Sequence, residues 1–282
     1  MTEKTASTEK VGQALTQAPT NRIQPGMGLK ALLATDTIKA RFSEVLGKKA
    51  PGFISSIITA TQLNPKLQAC DPTSVISSAA IAASLDLPIN SSLGFAHIVP
   101  YKGVAQFQMG WKGFVQLAMR SGQYLTLNVA EVYEGQLRKA NPFTGLMDFD
   151  ADGKKSDKVI GYVAYERLLN GFEKFLYITT EDARAHGKKF SQAFKSGFGP
   201  WVDDFDAMAK KTVIKALLSK WGILSIEMQK AIETDQAAID TDGNPTYIDV
   251  PAGTEGREMA ETGAAPAVDP AKAAPYEPGS DI

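Results

Sequence analysis

The side chains able to hold an anion fall into two helical sets and one hairpin tip. Lys112, Gln116 and Arg120 recur at spacing four, so they share one face of a helix. At 1.5 Å per residue the outer two lie roughly 12 Å apart, a span that suits several consecutive phosphates. Trp111, Phe114, Val115, Ala118 and Met119 take much of the remaining surface. On a later helix Lys210, Lys211 and Lys215, with Lys220 beyond them, border an apolar stripe of Phe205, Met208, Ala209, Thr212, Val213, Ala216 and Leu217. None of these three lysines has an acid four positions on. Between Lys188 and Lys220 there are seven lysines, Lys188, Lys189 and Lys195 among them, against three acids, Asp203, Asp204 and Asp206. Lys102 follows Tyr101 at a hairpin tip, with Gln106 and Gln108 on the return strand. A cation beside an aromatic ring there can lie along a nucleic-acid backbone and stack on a base. An ordinary amphipathic helix and a plain turn have the same patterns, so each set is open to both readings when taken alone.

Charge along the chain sharpens the choice. Residues 1–225 carry 27 Lys and Arg against 19 Asp and Glu, a net of +8; residues 226–282 carry 3 against 12, a net of −9. A basic body with an acidic end fits a polyanion-binding domain whose tail competes, solubilises or recruits, and equally a solvated surface with a disordered tail.

Other chemistries find little support. The Gly-Lys pairs, Gly47–Lys48, Gly153–Lys154 and Gly187–Lys188, are each followed by Lys, so the P-loop pattern of phosphate-cradling amides before Gly-Lys-Ser/Thr is missing. Asp148, Asp150, Asp152 and Gly153 begin a calcium-loop pattern, but Val159 stands where the bidentate Glu belongs. Asp203, Asp204 and Asp206 suit the first turn of a helix, where carboxylates meet its positive end. One cysteine, Cys70, and two histidines, His97 and His186, cannot make a four-ligand zinc site or an internal disulfide. No nucleophile elbow or common nuclease motif is present. No metal, cofactor or catalytic residue is expected. The longest apolar runs are too short for a membrane span, and residues 1–20 lack the apolar stretch of a secretory signal, so a cytoplasmic protein is expected.

The elements that position these residues follow from periodicity and turn chemistry. Residues 1–28, rich in Thr, Ser and Gln, read as a flexible arm. Residues 29–46 read as a helix broken near Thr35–Asp36. A second helix runs over 52–63, and a third starts at Asp71–Pro72 with a small-residue face of Ala79, Ala80, Ala82 and Ala83. Residues 94–101 and 104–109 flank Lys102–Gly103 as a hairpin. Residues 111–121 form a helix and 125–137 a strand. Residues 138–158 read as a long polar loop, and 159–168 with 172–178 as a second hairpin around Asn170–Gly171. Thr180 is expected to cap the next helix, followed by a connector over 191–199, a long helix over 202–221 and a last helix over 225–239. From 241 the chain carries six prolines and excess acid, the composition of a disordered tail. The class is α+β: a short antiparallel sheet of hairpins with a crossing helix, flanked by N- and C-terminal helices, in one core domain over 29–240.

Several stretches taken together resemble the phage-type RecT family of single-strand annealing proteins, related to Red beta. They are Asn64-Pro65-Lys66-Leu67-Gln68-Ala69-Cys70-Asp71-Pro72 with the Ser/Ala helix after it; Leu93-Gly94-Phe95-Ala96-His97-Ile98-Val99-Pro100-Tyr101, running into Gln106-Phe107-Gln108-Met109-Gly110-Trp111-Lys112-Gly113-Phe114 and Leu117-Ala118-Met119-Arg120-Ser121-Gly122; Gly161–Tyr162; and Pro200–Trp201 with Phe205-Asp206-Ala207-Met208-Ala209-Lys210-Lys211-Thr212. Their order over about residues 30–225 makes the combination specific. The resemblance implies ATP-independent binding of single-stranded DNA, pairing of complementary strands into annealed duplex, and assembly into rings or helical filaments. It also implies a phage 5′→3′ exonuclease partner, with a host single-strand-binding protein as a further one, in the cytoplasm of a bacterial host. The residues placed at the DNA are Tyr101, Lys102, Gln106, Gln108, Trp111, Lys112, Gln116, Arg120, Lys188, Lys189, Lys210, Lys211 and Lys215. A metal-dependent nuclease and a passive strand-coating protein are the rival readings.

Overall fold

Asp71 and Pro72 open the first deeply buried helix as their chemistry dictates. The Asp71 carboxylate accepts from Ser74 N at 2.8 Å, and proline takes a position whose amide has no helical partner. The computed structural model describes residues 27–239 and 245–247; most of the expected arm, and the tail beyond 247, lie outside the described residues.

The N-terminal lobe is helical: α1 (Leu29–Leu33), α2 (Asp36–Leu46), α3 (Ala50–Gln62), α4 (Pro65–Gln68) and α5 (Pro72–Ser84). The break at Thr35 is as expected, and Asn64 caps α4 by accepting from Lys66 N and Leu67 N. The small residues of α5 belong to the core, where Ala79 and Ala82 are fully buried. They let α5 lie close to β2 (Val104–Met109), and Ser74 and Ser78 hydrogen-bond the Ala105 backbone.

β1 (Ala96–Tyr101) and β2 pair antiparallel with Tyr101 opposite Val104. Lys102 and Gly103 both have positive φ, 49° and 80°, as a two-residue hairpin turn of primed type requires. α6 (Trp111–Arg120) follows. A Cβ on Gly113 would lie 2.2 Å from Phe95 O, so only glycine permits α6 to sit this close to the chain entering β1.

The second sheet is three-stranded and antiparallel, in the order β3 (Tyr124–Tyr133), β6 (Val159–Leu168), β7 (Glu173–Thr179). The long polar loop expected between β3 and β6 instead contains a small hairpin, β4 (Leu137–Ala140) with β5 (Met147–Phe149). β4 reads Leu-Arg-Lys-Ala without alternation, and β5 alternates over only three residues, too few to betray a strand.

α7 (Thr180–Phe190) is capped by Thr179, one residue earlier than expected, through a capping box with Asp182. The connector contains α8 (Gln192–Lys195). The long helix is also divided, into α9 (Pro200–Asp203) and α10 (Phe205–Trp221), with Asp204 as the cap of α10. α10 crosses the three-stranded sheet and packs against β3, β6, β7, α6 and α7. Met208, Ala209, Lys211, Val213, Ile214, Leu217 and Leu218 are all buried, so it is enclosed on most sides rather than carrying one apolar stripe. α11 (Ile226–Thr234) ends five residues before the expected limit. Beyond it, Phe107 of β2 exchanges backbone hydrogen bonds with Gln236 and Ala237, and β8 (Ala238–Ile239) pairs with β9 (Pro245–Thr246). Pro245–Tyr247, expected to be tail, is thus tied to the core, with the Tyr247 hydroxyl donating to Glu233 O.

Candidate nucleic-acid interface

Trp111, Lys112 and Lys210 meet where α6 packs on α10. The Nζ atoms of Lys112 and Lys210 each lie 5.7 Å from the Trp111 ring centroid, within cation–π range. Lys210 is held there by Glu131 of β3, with Nζ 2.9 Å from Oε1. The other Glu131 oxygen accepts from the Tyr133 hydroxyl at 2.7 Å. That hydrogen bond, then Lys210, keeps the Glu131 carboxyl below its ordinary range. Beyond it Lys154 lies 3.8 Å from the Tyr133 ring centroid. A contiguous strip therefore runs Lys112, Trp111, Lys210, Glu131, Tyr133, Lys154, drawn from four separate parts of the chain.

The remaining site residues are distributed differently. Lys211 is a correction: it is 4 % exposed, and its Nζ is 2.7 Å from Asp235 Oδ1, in an ion pair. Lys215 reaches the other Asp235 oxygen at 2.9 Å, and Met109 N donates to the same carboxylate. Burial pulls the Lys211 ammonium below the lysine range. Burial alone would raise the Asp235 carboxyl, but the two lysines hold it down. These lysines lack an acidic partner on their own helix, and the structure supplies one from the turn after α11. In this fold both ammonium groups are committed to Asp235.

Gln106 and Gln108, expected at the DNA from the return strand, are both buried. Both faces of the β1–β2 hairpin are covered, with Phe107 and Met109 in the core and Gln108 Nε2 donating to Met208 Sδ at 3.2 Å. Gln106 Oε1 has no hydrogen-bond partner. Tyr101 is buried too, while Lys102 next to it is exposed, its Nζ 5.2 Å from the Tyr101 ring. Arg120, itself exposed, donates to Leu85 O and Asp86 O at 2.7 and 2.8 Å, so it closes the end of α5. Gln116 is half-buried; Lys188 and Lys189 are exposed at the end of α7. His97 and His186 are half-buried, and desolvation, then nearby lysines, lowers the pKa of both, that of His186 to about 4.

The acidic clusters serve local structure. Asp204 caps α10, and Asp206 accepts from the Tyr162 hydroxyl at 2.5 Å. Asp150 takes Arg138 at 2.5 Å and the amide of Asp152. Among the described residues no group of three His, Cys, Asp or Glu side chains is placed to hold a metal ion.

The RecT family model matches residues 51–249, from α3 past β9. The chain belongs to the RecT family. It is 54% identical over 214 residues to the uncharacterized protein YqaK of Bacillus subtilis (strain 168), covering 76% of this chain and 74% of that one. It is 31% identical over 186 residues to Protein RecT of Escherichia coli (strain K12), covering 61% and 66%. RecT membership supports a role in recombination and single-strand annealing. The match includes all six residues of the Lys112–Lys154 strip and also Asp235. Glu131, Tyr133, Lys154 and Asp235 were not singled out from sequence. Glu131 and Tyr133 had one available signal, a shared face of β3 at spacing two; Lys154 and Asp235 had none.

Proposed function

We propose that this protein binds single-stranded DNA and anneals complementary strands without ATP, as an oligomeric filament, in recombination of the phage type. The observation carrying this reading is the strip of lysines interleaved with Trp111 and Tyr133 on the surface of a RecT-family core. Lysines hold phosphates without regard to sequence, and rings stack on any base while leaving its pairing edge free. Annealing is downhill once two strands are held together, so no nucleotide hydrolysis is required. Serial assembly would join short strips into a long track and add weak contacts together. Lys102, Lys188 and Lys189, exposed elsewhere, would meet the backbone at the margins. A 5′→3′ exonuclease and a host single-strand-binding protein are the proposed partners, in the bacterial cytoplasm. Among the described residues no helix is long and apolar enough to cross a membrane.

The test mixes two complementary oligonucleotides, labelled as donor and acceptor, with protein and no nucleoside triphosphate. Faster appearance of energy transfer than in buffer supports annealing. Slower pairing identifies a coating protein, and shortened strands in magnesium identify a nuclease; either overturns the proposal.

A further inference from the structure

Tyr133 stands at the end of β3, and the chain that returns over it is fixed with unusual care. Lys155 N donates to Glu134 O, Asp150 N to Gln136 O and Glu134 N to Lys158 O, at 2.8, 2.8 and 3.0 Å. Ser156 Oγ adds a bond to the Glu134 carboxylate at 2.8 Å. Gly135, at φ +93°, lets the two segments touch, since a Cβ there would lie 2.3 Å from Gly153 O. The outcome is that Lys154 is carried over the Tyr133 ring. Its ammonium also meets Asp157 at 2.7 Å, a carboxylate that is 98 % exposed.

We propose that Tyr133 and Lys154 form a second single-strand subsite, taking one base on the tyrosine ring and a phosphate on the lysine. The proposal rests on the reading that this protein binds single-stranded DNA. An exposed ion pair such as Lys154–Asp157 contributes little, so a phosphate replaces Asp157 readily and draws the ammonium off the ring face. The face so uncovered accepts a base. Glu131 gives the strip its polarity. It lies between the Trp111 and Tyr133 positions, cancels the charge of Lys210, and repels phosphate. Phosphates are therefore driven outward to Lys112 and Lys154, and bases inward to the two rings. The strand runs from α6 across the start of α10 to the end of β3.

The test uses an oligothymidylate carrying 5-iodo-deoxyuridine, cross-linked by light to the full-length protein and mapped by peptide mass spectrometry. An adduct at Tyr133 is expected. By fluorescence anisotropy, Tyr133→Ala should bind the oligonucleotide roughly tenfold more weakly, with Tyr133→Phe restoring most of the affinity. Lys154→Gln should reduce the slope of log K against log salt by about 0.7. If the parent protein does not bind single strands, the underlying reading fails. If the parent binds, and Trp111→Ala weakens it, but Tyr133 takes no adduct and Lys154→Gln keeps the full slope, the subsite alone is overturned. Should Tyr133→Ala lose its circular dichroism, adduct position and slope decide the matter between them.

Discussion

Glu166 offers the sharpest test of how this core is built. It lies on β6, the middle strand, opposite Leu127 on one side and Lys174 on the other. Its parity is that of Tyr162, Ala164 and Leu168, all buried like it. It is 0 % exposed, and neither carboxylate oxygen has a hydrogen-bond partner. Burial pushes its carboxyl up from 4.5 to about 7. A group whose folded pKa is raised contributes stability that is complete below the unfolded value and is lost as pH rises through the folded one. Here the loss runs from pH 4.5 to about 7. At about 1.4 kcal/mol per pH unit it totals about 3 kcal/mol. Glu166→Gln removes the titration but keeps the shape. The buried amide has its own constant cost. The difference in unfolding free energy between variant and parent should therefore shift by about 3 kcal/mol in favour of glutamine between pH 4.5 and pH 8. Urea unfolding followed by far-ultraviolet circular dichroism at half-unit intervals measures it, and shared titrations such as that of Asp235 cancel in the subtraction. A difference flat with pH would refute the reasoning, since Glu166 would then titrate alike in both states.

Asp235→Asn leaves the buried Lys211 and the half-buried Lys215 without a counter-charge. It should cost about 3–5 kcal/mol in the same unfolding assay at neutral pH. In the parent the Asp235 carboxyl is depressed, so its contribution should persist at neutral pH and fade only as pH falls through the low carboxylate range. Lys112→Ala, on an exposed helix position, should leave the unfolding midpoint nearly unchanged and reduce the salt slope of oligonucleotide binding by about 0.7, measured by anisotropy titrations between 50 and 200 mM salt. Deleting residues 248–282 removes seven acids and two basic residues. The truncated protein should bind single strands as tightly or more tightly and remain folded; weaker binding would show that the tail contributes contacts.

Much of the framework was legible because local chemistry dictates it. The cap at Asp71, the Lys102–Gly103 turn, the Asn170–Gly171 turn and the α+β class all follow from residues acting within a few positions of one another. The β4–β5 hairpin was hidden because its strands are too short to carry a sustained alternation. The cap of α7 is Thr179 rather than the expected Thr180: the two are adjacent, and only the reciprocal bonds with Asp182 distinguish them.

The candidate site divides along a similar line. The sequence alone determines that the body is basic, that lysines cluster on the long helix, and that Trp111 and Lys112 are neighbours on another. It does not determine which lysines face water. Lys210, Lys211 and Lys215 are alike in sequence, yet Lys210 lies on the surface strip and the other two are bound to one buried carboxylate. The deciding residue, Asp235, lies 24 positions from Lys211. The same holds for Glu131, which reaches Lys210 across 79 positions, and for Lys154, which meets Tyr133 because a loop is pinned against a strand. Desolvation and pairing are properties of where side chains come together in space. Periodicity reports which face of one element a residue occupies, and only the packing of α10 against the three-stranded sheet and its neighbours decides what that face meets.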